Sequence, residues 1–399
     1  MEKTEHYLDN SATTKPSEEA LAAIKEALTI WGNPSSVHSR GQEAASLLRD
    51  CRASVGKTLG MQKFSQDRLV FTSSGTEANN IAILGCAHSK KRDAERPGAI
   101  IISAGEHSSV NLTAESLERE GYTLIRIPTT RGVLDLDYLS KALDGLTEQK
   151  LPVVIASFML VNNETGAIYD VASAAKLVKK HFPDAVVHCD AVQAYMKLRF
   201  TPSSLGVDTL TVSAHKIHSI RGAGALFISA ETIKRKNVSP VMFGGGQEGG
   251  LRSGTENLVS IASFAAAAYN TFENIGQNKA KVEVLRMYLE EQLEKKCPEI
   301  SFNKPDGEYL ANICSIVVPG VRSETMLNFL SGRGVYVSAG SACAANSKKK
   351  SSALEAFGVS PDSADSTLRV SMDYSNTVDD IDALVLGLRE GLDSLQKKR

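Results

Sequence analysis

The sequence predicts an α/β protein with a mostly parallel sheet that is covered by helices on both faces. Short apolar runs alternate with segments of helical periodicity over much of the chain. Runs of about four to eight apolar residues flanked by Gly, Pro, Ser or Asp are typical of buried strands. Strands that alternate with helices favour a parallel sheet. The seven predicted strands are Arg68–Thr72, Ala99–Ser103, Thr123–Ile127, Val153–Phe158, Ala185–Cys189, Thr209–Val212 and Ala225–Ser229.

Two amphipathic helices are predicted before these strands. Glu18–Trp31 has apolar residues at helical spacing, and Gly32-Asn33-Pro34 follows it as a stop signal. The second predicted helix is Ser39–Leu59.

From about Glu256 the pattern changes to that of a smaller α+β domain. The predicted elements there are two long helices, three strands and a final helix. They are Glu256–Asn274, Gln277–Lys296, Ile313–Val318, Val335–Ser338, Leu368–Ser371 and Val378–Lys398. We therefore predict three parts: an N-terminal segment (1–16) that packs with the small domain, a large domain (17–258) and a small domain (259–399).

Composition narrows the class of protein. The 45 Lys and Arg balance 46 Asp and Glu, so no global charge attracts nucleic acid or an anionic membrane. The longest apolar stretches are too short to span a bilayer, and the N-terminus has no apolar signal core. The six cysteines follow no disulfide or zinc spacing, which indicates free thiols in a reducing compartment. We expect a cytoplasmic protein.

Three local motifs are weak evidence for other functions. Gly56-Lys57-Thr58 ends like a nucleotide-binding loop, but Cys51 stands where the first glycine belongs. Gly244–Gly249 matches the dinucleotide pattern G-x-G-x-x-G, but no helical pattern starts directly after it. His215 and His218 have no evident third partner for a metal site.

Two predicted strands run into charged residues that favour a pyridoxal-phosphate site. Asp190 follows one strand and Lys216 the next, and ligands in α/β sheets bind beyond such carboxyl ends. An isolated Asp there more often caps the following turn. A buried lysine is costly unless it is neutralised, and a Schiff base with an aldehyde neutralises it. Pyridoxal phosphate needs both a Schiff-base lysine and an acidic partner for its ring nitrogen.

A phosphate cradle is predicted at Phe71–Asn80, which reads as a strand, a Ser/Gly turn and a helix start. Backbone N–H groups at a helix N-terminus, together with the Thr76 hydroxyl, form an anion site. The alternative is an ordinary helix cap made by Thr76 and Glu77.

Taken together, these motifs resemble the cysteine desulfurases of the NifS/IscS type. These belong to the class V aminotransferase group of pyridoxal-phosphate enzymes, which have fold type I. The resemblance runs nearly end to end. Its motifs are Tyr7–Thr14, Gly32–Ser36, Thr72–Asn80, Glu106-His107, Val161–Glu164, Asp190–Gln193, Ser213–Ile217, Gly244–Thr255, Gly340–Cys343 and Arg369.

The resemblance implies a role for each catalytic and substrate-binding residue. Lys216 would bind the cofactor and later move the Cα proton, and His107 would stack on the ring and act as acid or base. Arg369 would clamp the substrate carboxylate with its planar fork. Asn163 would contact the substrate region, and Cys343 would take the sulfur as a persulfide.

The resemblance also implies a set of cofactor contacts. Asp190 would pair with the ring nitrogen, and Gln193 and Asn163 would lie near the ring hydroxyl. Thr255 of a partner subunit would join the phosphate site, which implies a homodimer with a shared active site. The glycine loop Gly244–Gly250 would then lie at the dimer interface. The remaining phosphate contacts would be Gly75, Thr76, Ser213 and His215.

The implied reaction converts L-cysteine to L-alanine and passes sulfur from Cys343 to an acceptor protein. Iron–sulfur clusters, thiolated RNA and a vitamin are all open as destinations. A selenocysteine lyase or another class V aminotransferase would share Lys216, Asp190 and Arg369, but an ordinary transaminase needs no loop thiol. A catalytically silent scaffold and a nicotinamide-dependent oxidoreductase are further alternatives.

Two departures from the family pattern affect the expectations. Ser219-Ile220 stand where the family has Gly-Pro, which leaves the shape of that turn open. Lys348–Lys350 follow Cys343 and read either as a solvated stretch or as a patch that steers an acidic acceptor. The small residues around Cys343 favour a mobile loop. The other cysteines are expected to be buried space-fillers: Cys51, Cys86, Cys189, Cys297 and Cys314.

Overall fold

A computed structural model describes residues 4–62, 64–65, 68–90, 97–340 and 352–396. The strands are β1 (His6–Tyr7), β2 (Leu69–Thr72), β3 (Ala99–Ser103), β4 (Thr123–Ile127), β5 (Val153–Met159), β6 (Val186–Asp190), β7 (Thr209–Ser213), β8 (Gly224–Ile228), β9 (Ser301–Phe302), β10 (Ile313–Val317), β11 (Val335–Tyr336), β12 (Ser338–Ala339) and β13 (Thr367–Ser371). Cys343 and Lys348–Lys350 lie outside the described residues.

The helices alternate with the strands of the first half and then dominate the second half. The α-helices are α1 (Glu18–Ala27), α2 (Ser39–Thr58), α3 (Gly75–Lys90), α4 (Ser108–Arg119), α5 (Leu136–Glu148), α6 (Val171–His181), α7 (Pro202–Leu205), α8 (Ala230–Lys234), α9 (Leu258–Lys296), α10 (Ser323–Ser331), α11 (Ser352–Phe357), α12 (Pro361–Asp365) and α13 (Val378–Leu395). Short 3₁₀ turns occur at Thr130–Gly132, Ala214–Lys216 and Glu248–Gly250.

The large sheet confirms the predicted α/β class. Its seven strands have the order β2-β8-β7-β6-β5-β3-β4, and β8 runs antiparallel to both of its neighbours. The other neighbouring pairs are parallel. Each predicted strand of this sheet is present, with ends that differ from the prediction by one residue at most. All but β4 are buried throughout, as a sheet covered on both faces requires.

The prediction of two long helices after Glu256 is wrong. A single helix of 39 residues, α9, replaces them. The expected break lay at Ile275-Gly276, but Ile275 is buried against the core and Asn274 Nδ2 donates to Asn270 O one turn back. Packing and this hydrogen bond outweigh the cost of one helical glycine, which is about 1 kcal/mol relative to alanine.

Two other predicted boundaries need correction. Helix α1 ends at Ala27 rather than Trp31, and Leu28 and Trp31 beyond it are exposed. The single strand predicted at Val335–Ser338 is two strands in different sheets. β11 pairs in parallel with β1, whereas β12 joins the four-stranded sheet of order β12-β13-β10-β9.

The described residues form two main hydrophobic cores. The larger core packs against the seven-stranded sheet, and the smaller one packs under the four-stranded sheet. Helix α9 contributes its first half to the larger core and its second half to the smaller core. Leu8 belongs to the smaller core, and β1 pairs with β11 there. The three-part division remains a proposal, which these contacts support. Among the described residues, we find no helix with the length and apolar character that crossing a membrane requires.

A carboxylate of helix α13 anchors the N-terminal segment. Asp380 Oδ1 lies 2.8 Å from His6 Nδ1, and Oδ2 accepts from Asn376 Nδ2 at 3.1 Å. The backbone N–H of Thr377 also donates to Oδ2, so Asp380 completes the cap of α13. Burial raises the pKa of Asp380, but these hydrogen bonds outweigh burial and lower it from the ordinary value of 3.8.

Replacement of Asp380 is therefore expected to loosen the N-terminus. Asp380→Ala should lower the free energy of unfolding by about 1–2 kcal/mol at pH 7, because a cap and two side-chain hydrogen bonds are lost. Because the folded-state pKa is lowered, the stabilisation is complete above the unfolded pKa near 4 and is lost as the pH falls through the folded pKa. Denaturant unfolding at pH 7 and pH 3 measures both effects.

The matched control is Asp379→Ala, since Asp379 is exposed in the same first turn. Asp379→Ala should lower the free energy of unfolding by less than about 1 kcal/mol, the size of a carboxylate's interaction with the helix dipole. An Asp380→Ala loss that is no larger, or one that grows towards pH 3, would contradict the anchor.

Candidate active site

A cavity of about 360 Å³ opens at the carboxyl ends of β6 and β7. Most of the residues that were predicted to bind the cofactor or the substrate line this cavity. The lining residues are Ser11, Ala12, Ser74, Gly75, Thr76, Asn79, His107, Ser109, Met159, Val161, Asn163, Asp190, Val192, Gln193, Ser213, His215, Lys216 and Arg369. Thr255 does not line this cavity, and Cys343 lies outside the described residues.

Asp190 is the last residue of β6, and the parallel register places it beside Thr211 of β7. Its Oδ1 accepts the backbone N–H of Val192 at 3.0 Å, and its Oδ2 accepts from Asn79 Nδ2 at 2.8 Å. Asp190 therefore caps the next turn and also presents a carboxylate to the cavity. Lone pairs remain on both oxygens for a further donor such as a protonated ring nitrogen.

Lys216 ends the 3₁₀ turn that follows β7. Its Nζ donates to the backbone carbonyls of Ser11 and Ala12, at 2.5 and 2.7 Å. This contact draws the N-terminal segment over the cavity and holds the amine against its wall. Sequence reasoning missed this role of Ser11 and Ala12. The only signal was their place in the Tyr7–Thr14 motif.

The start of helix α3 forms one end of the cavity. Ser74 Oγ accepts the backbone N–H of Glu77, so Ser74 rather than Thr76 caps the helix. Glu77 in turn accepts the backbone N–H of Ser73 at 2.6 Å. Thr76 lies on the cavity wall. A Cβ at Gly75 would lie 2.9 Å from Val192 Cγ2, so a side chain at this position would crowd Val192 on the cavity wall.

Two further polar side chains face the same end. Ser213 is 1% exposed, and its Oγ has no hydrogen-bond partner in the described part of the chain. Buried hydroxyls are normally paired, so this atom marks a place for a ligand acceptor. His215 contacts Thr13 Oγ1 through Nδ1 at 3.2 Å. Burial and the nearby Lys216 lower the His215 pKa to about 4, so at neutral pH its ring is uncharged.

His107 forms the N-cap of α4 at the edge of the cavity. Its Nδ1 accepts the backbone N–H of Ser109 at 3.1 Å and lies 2.9 Å from Ser109 Oγ. Burial lowers the His107 pKa below the ordinary 6.5. The preceding Glu106 is fully buried and fixes this loop, since Oε1 accepts from Ser103 Oγ and from the backbone of Met159. Burial, and then the charge of Asp190, raise the Glu106 pKa well above its usual value.

Arg369, on β13, forms the opposite side of the cavity. Its Nη2 donates to Asp9 Oδ1 at 2.9 Å, and its Nη1 donates to the carbonyl of Asn163 at 3.0 Å. Its Nε is buried and has no hydrogen-bond partner among the described residues. Asp9 was not predicted as a site residue, although it belongs to the same N-terminal motif. Its carboxylate sets the orientation of the guanidinium.

Gln193 is held in one orientation beside Lys216. Its Nε2 donates to Ser11 O at 3.0 Å, and its Oε1 accepts from Lys197 Nζ at 3.2 Å. Burial, and then the nearby Lys216, lower the Lys197 pKa to about 7.

The glycine loop 244–250 is tied to the large sheet by a buried ion pair. Arg52 Nη1 and Nη2 each donate to Glu248 at 2.7 Å, and Glu248 also accepts the backbone N–H of Phe71. Glu248 adopts φ +51, a strained value for a residue other than glycine. The buried pair holds that strain. Beyond this anchor Thr255 is exposed.

In the turn after Lys216, Ser219-Ile220 stand in place of the Gly-Pro of the family and contact helix α9. Ser219 is buried, and its Oγ lies 2.9 Å from Ser263 Oγ of helix α9. Ile220 donates its backbone N–H to the same hydroxyl at 3.4 Å, a contact that proline cannot make. The departure therefore does not displace Lys216 from the cavity.

The five described cysteines are buried, as predicted, and they are Cys51, Cys86, Cys189, Cys297 and Cys314. Burial raises the pKa of the Cys51 thiol to about 12 and raises the pKa values of Cys189, Cys297 and Cys314 as well. A buried thiol of raised pKa is a poor nucleophile.

The cavity fits pyridoxal phosphate. It contains an amine for the aldehyde at Lys216, an acceptor for the ring nitrogen at Asp190, and unpaired or backbone donors for a phosphate at Ser213 and the start of α3. These groups lie on separate elements that converge at one sheet edge.

Comparison with known proteins agrees with this geometry. The family model for class V aminotransferases matches residues 6–384. The "Cysteine desulfurase IscS" of Dictyoglomus turgidum is 33% identical over 381 residues, which cover 95% of this chain and 92% of the relative. The solved NifS-like protein of Rickettsia africae has 31% identity and a TM-score of 0.85, and the match covers 98% of this chain and 100% of the other.

A further solved structure is described as SspA in complex with cysteine. It has 27% identity and a TM-score of 0.75, over 92% of this chain and 99% of the other. The matched family is dependent on pyridoxal phosphate, which agrees with the chemistry of the cavity. The chain therefore belongs to the class V aminotransferase family, among relatives of the NifS/IscS type.

Proposed function

We propose that this protein is a pyridoxal-phosphate-dependent cysteine desulfurase that converts L-cysteine to L-alanine and leaves a persulfide on Cys343. The observation that carries the proposal is the convergence of Lys216, Asp190 and Arg369 on one cavity. Bound pyridoxal phosphate would withdraw electrons from the substrate Cα through its protonated ring. The activity is that named for the Dictyoglomus relative.

Each end of the cavity is proposed to hold one anion. Ser213, His215 and the backbone at the start of α3 would hold the cofactor phosphate. Arg369 would bind the substrate carboxylate, while Asp9 and the Asn163 carbonyl keep the guanidinium in place. Gln193 and Asn163 would contact the ring hydroxyl and the substrate.

Lys216 is proposed to hold the cofactor aldehyde and to move the Cα proton of the substrate. The carbonyls of Ser11 and Ala12 accept from its Nζ and would orient the amine whenever it is free in the cavity. His107 would lie over the ring. Asp190 would hold the proton on the ring nitrogen, because its carboxylate is fixed by Val192 and Asn79.

Cys343 is proposed as the sulfur carrier. Its thiolate would attack the substrate sulfur, so that an S–S bond forms, the Cβ–S bond breaks, and Cβ takes up a proton to become the methyl group of alanine. Elimination supports this assignment, since the other five of the six cysteines are buried. The acceptor of the persulfide sulfur would be a protein.

A homodimer is proposed in which Thr255 reaches the phosphate of the partner subunit. Thr255 is exposed and does not line the cavity of its own chain, and the nearby Phe243 is 86% exposed. The Arg52–Glu248 pair gives this loop a fixed base. Sedimentation at the mass of one chain would contradict the proposal. The described cysteines form no disulfide, which also favours the cytoplasm as location.

Removal of the cofactor lysine gives the first test. Lys216→Ala should lose the visible absorbance band of lysine-bound cofactor and reduce alanine formation at least about a hundredfold, since the covalent attachment is lost. The spectrum of the purified protein and an alanine assay measure both. Lys141→Ala, an exposed lysine on α5, is the control and should match the parent. A parent protein that stays colourless with added pyridoxal phosphate would refute the proposed function.

Removal of the carrier thiol gives the second test. Cys343→Ala should keep the cofactor band but lose persulfide formation, with alanine production from cysteine reduced at least about a hundredfold. Mass spectrometry detects the persulfide. Cys51→Ala is the control, because it removes a buried thiol. Alanine and sulfide produced by Cys343→Ala at the parent rate would instead favour a lyase that needs no carrier.

Replacement of the carboxylate clamp gives the third test. Arg369→Lys keeps the charge but loses the planar fork, so KM for cysteine should rise about tenfold or more. The cofactor band should remain. Steady-state kinetics measure the effect, with Arg333→Lys on the exposed surface as control. An unchanged KM would remove Arg369 from the substrate site.

A further inference from the structure

Asn79 lies at the centre of a buried hydrogen-bond network beside the cavity. Its Nδ2 is 2.8 Å from Asp190 Oδ2 and 2.9 Å from Ser109 Oγ, and its Oδ1 is 3.1 Å from His188 Nε2. His188 Nδ1 lies 2.9 Å from Thr209 Oγ1. Asn79 is 1% exposed and His188 is fully buried.

The direction of each hydrogen bond follows from the Asp190 carboxylate, which can only accept. The atom of Asn79 that faces Asp190 is therefore the donor Nδ2, and the amide oxygen faces His188. An amide oxygen accepts only, so the His188 proton sits on Nε2. Burial lowers the His188 pKa to about 3, so the ring is neutral. Its Nδ1 then accepts, and Thr209 donates.

The same amide fixes the proton of His107. Ser109 Oγ accepts one Asn79 hydrogen, which leaves its own hydrogen to donate to His107 Nδ1. The backbone N–H of Ser109 donates to that nitrogen as well. A neutral His107 ring therefore carries its proton on Nε2. The Asn79 amide thus supports both Asp190, which is expected at the ring nitrogen, and His107, which is expected over the ring face.

We propose that His188 and Asn79 are positioning residues that keep the cofactor's ring nitrogen protonated and His107 in its Nε2–H form. Asp190 sets the orientation of the Asn79 amide, because in the flipped orientation Oδ1 would face the carboxylate at about 2.8 Å, where two acceptors repel. His188 reinforces this orientation, since its Nε2–H donates to Oδ1. This inference rests on the proposed function.

The test measures the ring nitrogen directly. Holoenzyme is loaded with ¹⁵N-labelled pyridoxal phosphate, and the pH titration of its nitrogen resonance gives an apparent pKa. His188→Leu and Asn79→Ala should each lower this apparent pKa by about one unit and weaken cofactor binding about tenfold, because the Asp190 carboxylate is then no longer held facing the ring nitrogen. His188→Gln, whose amide can donate towards Asn79, should restore much of the parent value.

A control separates positioning from general stability. Tyr122→Phe removes a buried hydrogen bond to the Ala87 carbonyl away from the cavity. It should lower the melting temperature and leave the nitrogen titration unchanged.

The outcomes are distinct. A folded, cofactor-loaded His188→Leu protein with the parent titration overturns the inference. If His188→Leu does not fold, Thr209→Val decides: it removes the hydroxyl that faces Nδ1, and a smaller shift in the same direction is expected, whereas none overturns the inference. A parent that does not bind the cofactor or turn over cysteine refutes the proposed function instead.

Discussion

The approach of the N-terminal segment to the carboxyl edge of the large sheet is the constraint on which the rest of the site depends. The Lys216 amine donates there to the carbonyls of Ser11 and Ala12. From there the same segment orients Gln193 through Ser11 and Arg369 through Asp9. A reactive amine, a polar amide and a guanidinium are thus set by a single stretch of backbone.

That segment is also fixed by β11 and β13, as well as by the turn that follows β7. β1 pairs with β11, and the Ser371 N–H donates to the Leu8 carbonyl at 2.7 Å. Arg369 lies two residues before Ser371 on β13, so the strand that supplies the guanidinium also positions the segment that supplies its carboxylate partner. The site therefore depends on elements from both hydrophobic cores.

Much of this architecture could be predicted from residue types. The strands of the large sheet, and Asp190 and Lys216 at its edge, follow from apolar runs that end in charged residues. The carbonyl contacts of Ser11 and Ala12 could not be predicted from sequence. Every residue has a carbonyl, and the contact with Lys216 depends on how distant parts of the chain pack together. The continuity of α9 depended on how Ile275 packs, which a local glycine signal does not report. The only signal for Asn79 was its place in the Thr72–Asn80 motif, and its bonds to Ser109 and Asp190 join residues that are distant in sequence.

Two buried polar atoms without a hydrogen-bond partner in the described chain lie at opposite ends of the cavity. Lys216, Asp190 and Gln193 are all hydrogen-bonded, whereas Ser213 Oγ and Arg369 Nε are buried without a partner in the described chain. A buried donor without a partner costs about 1–3 kcal/mol, and an acceptor that arrives there recovers it. Both atoms are donors, and they lie where the cofactor phosphate and the substrate carboxylate are proposed. The fold thus favours an anion at each end, while the reactive amine between them must first release two carbonyls.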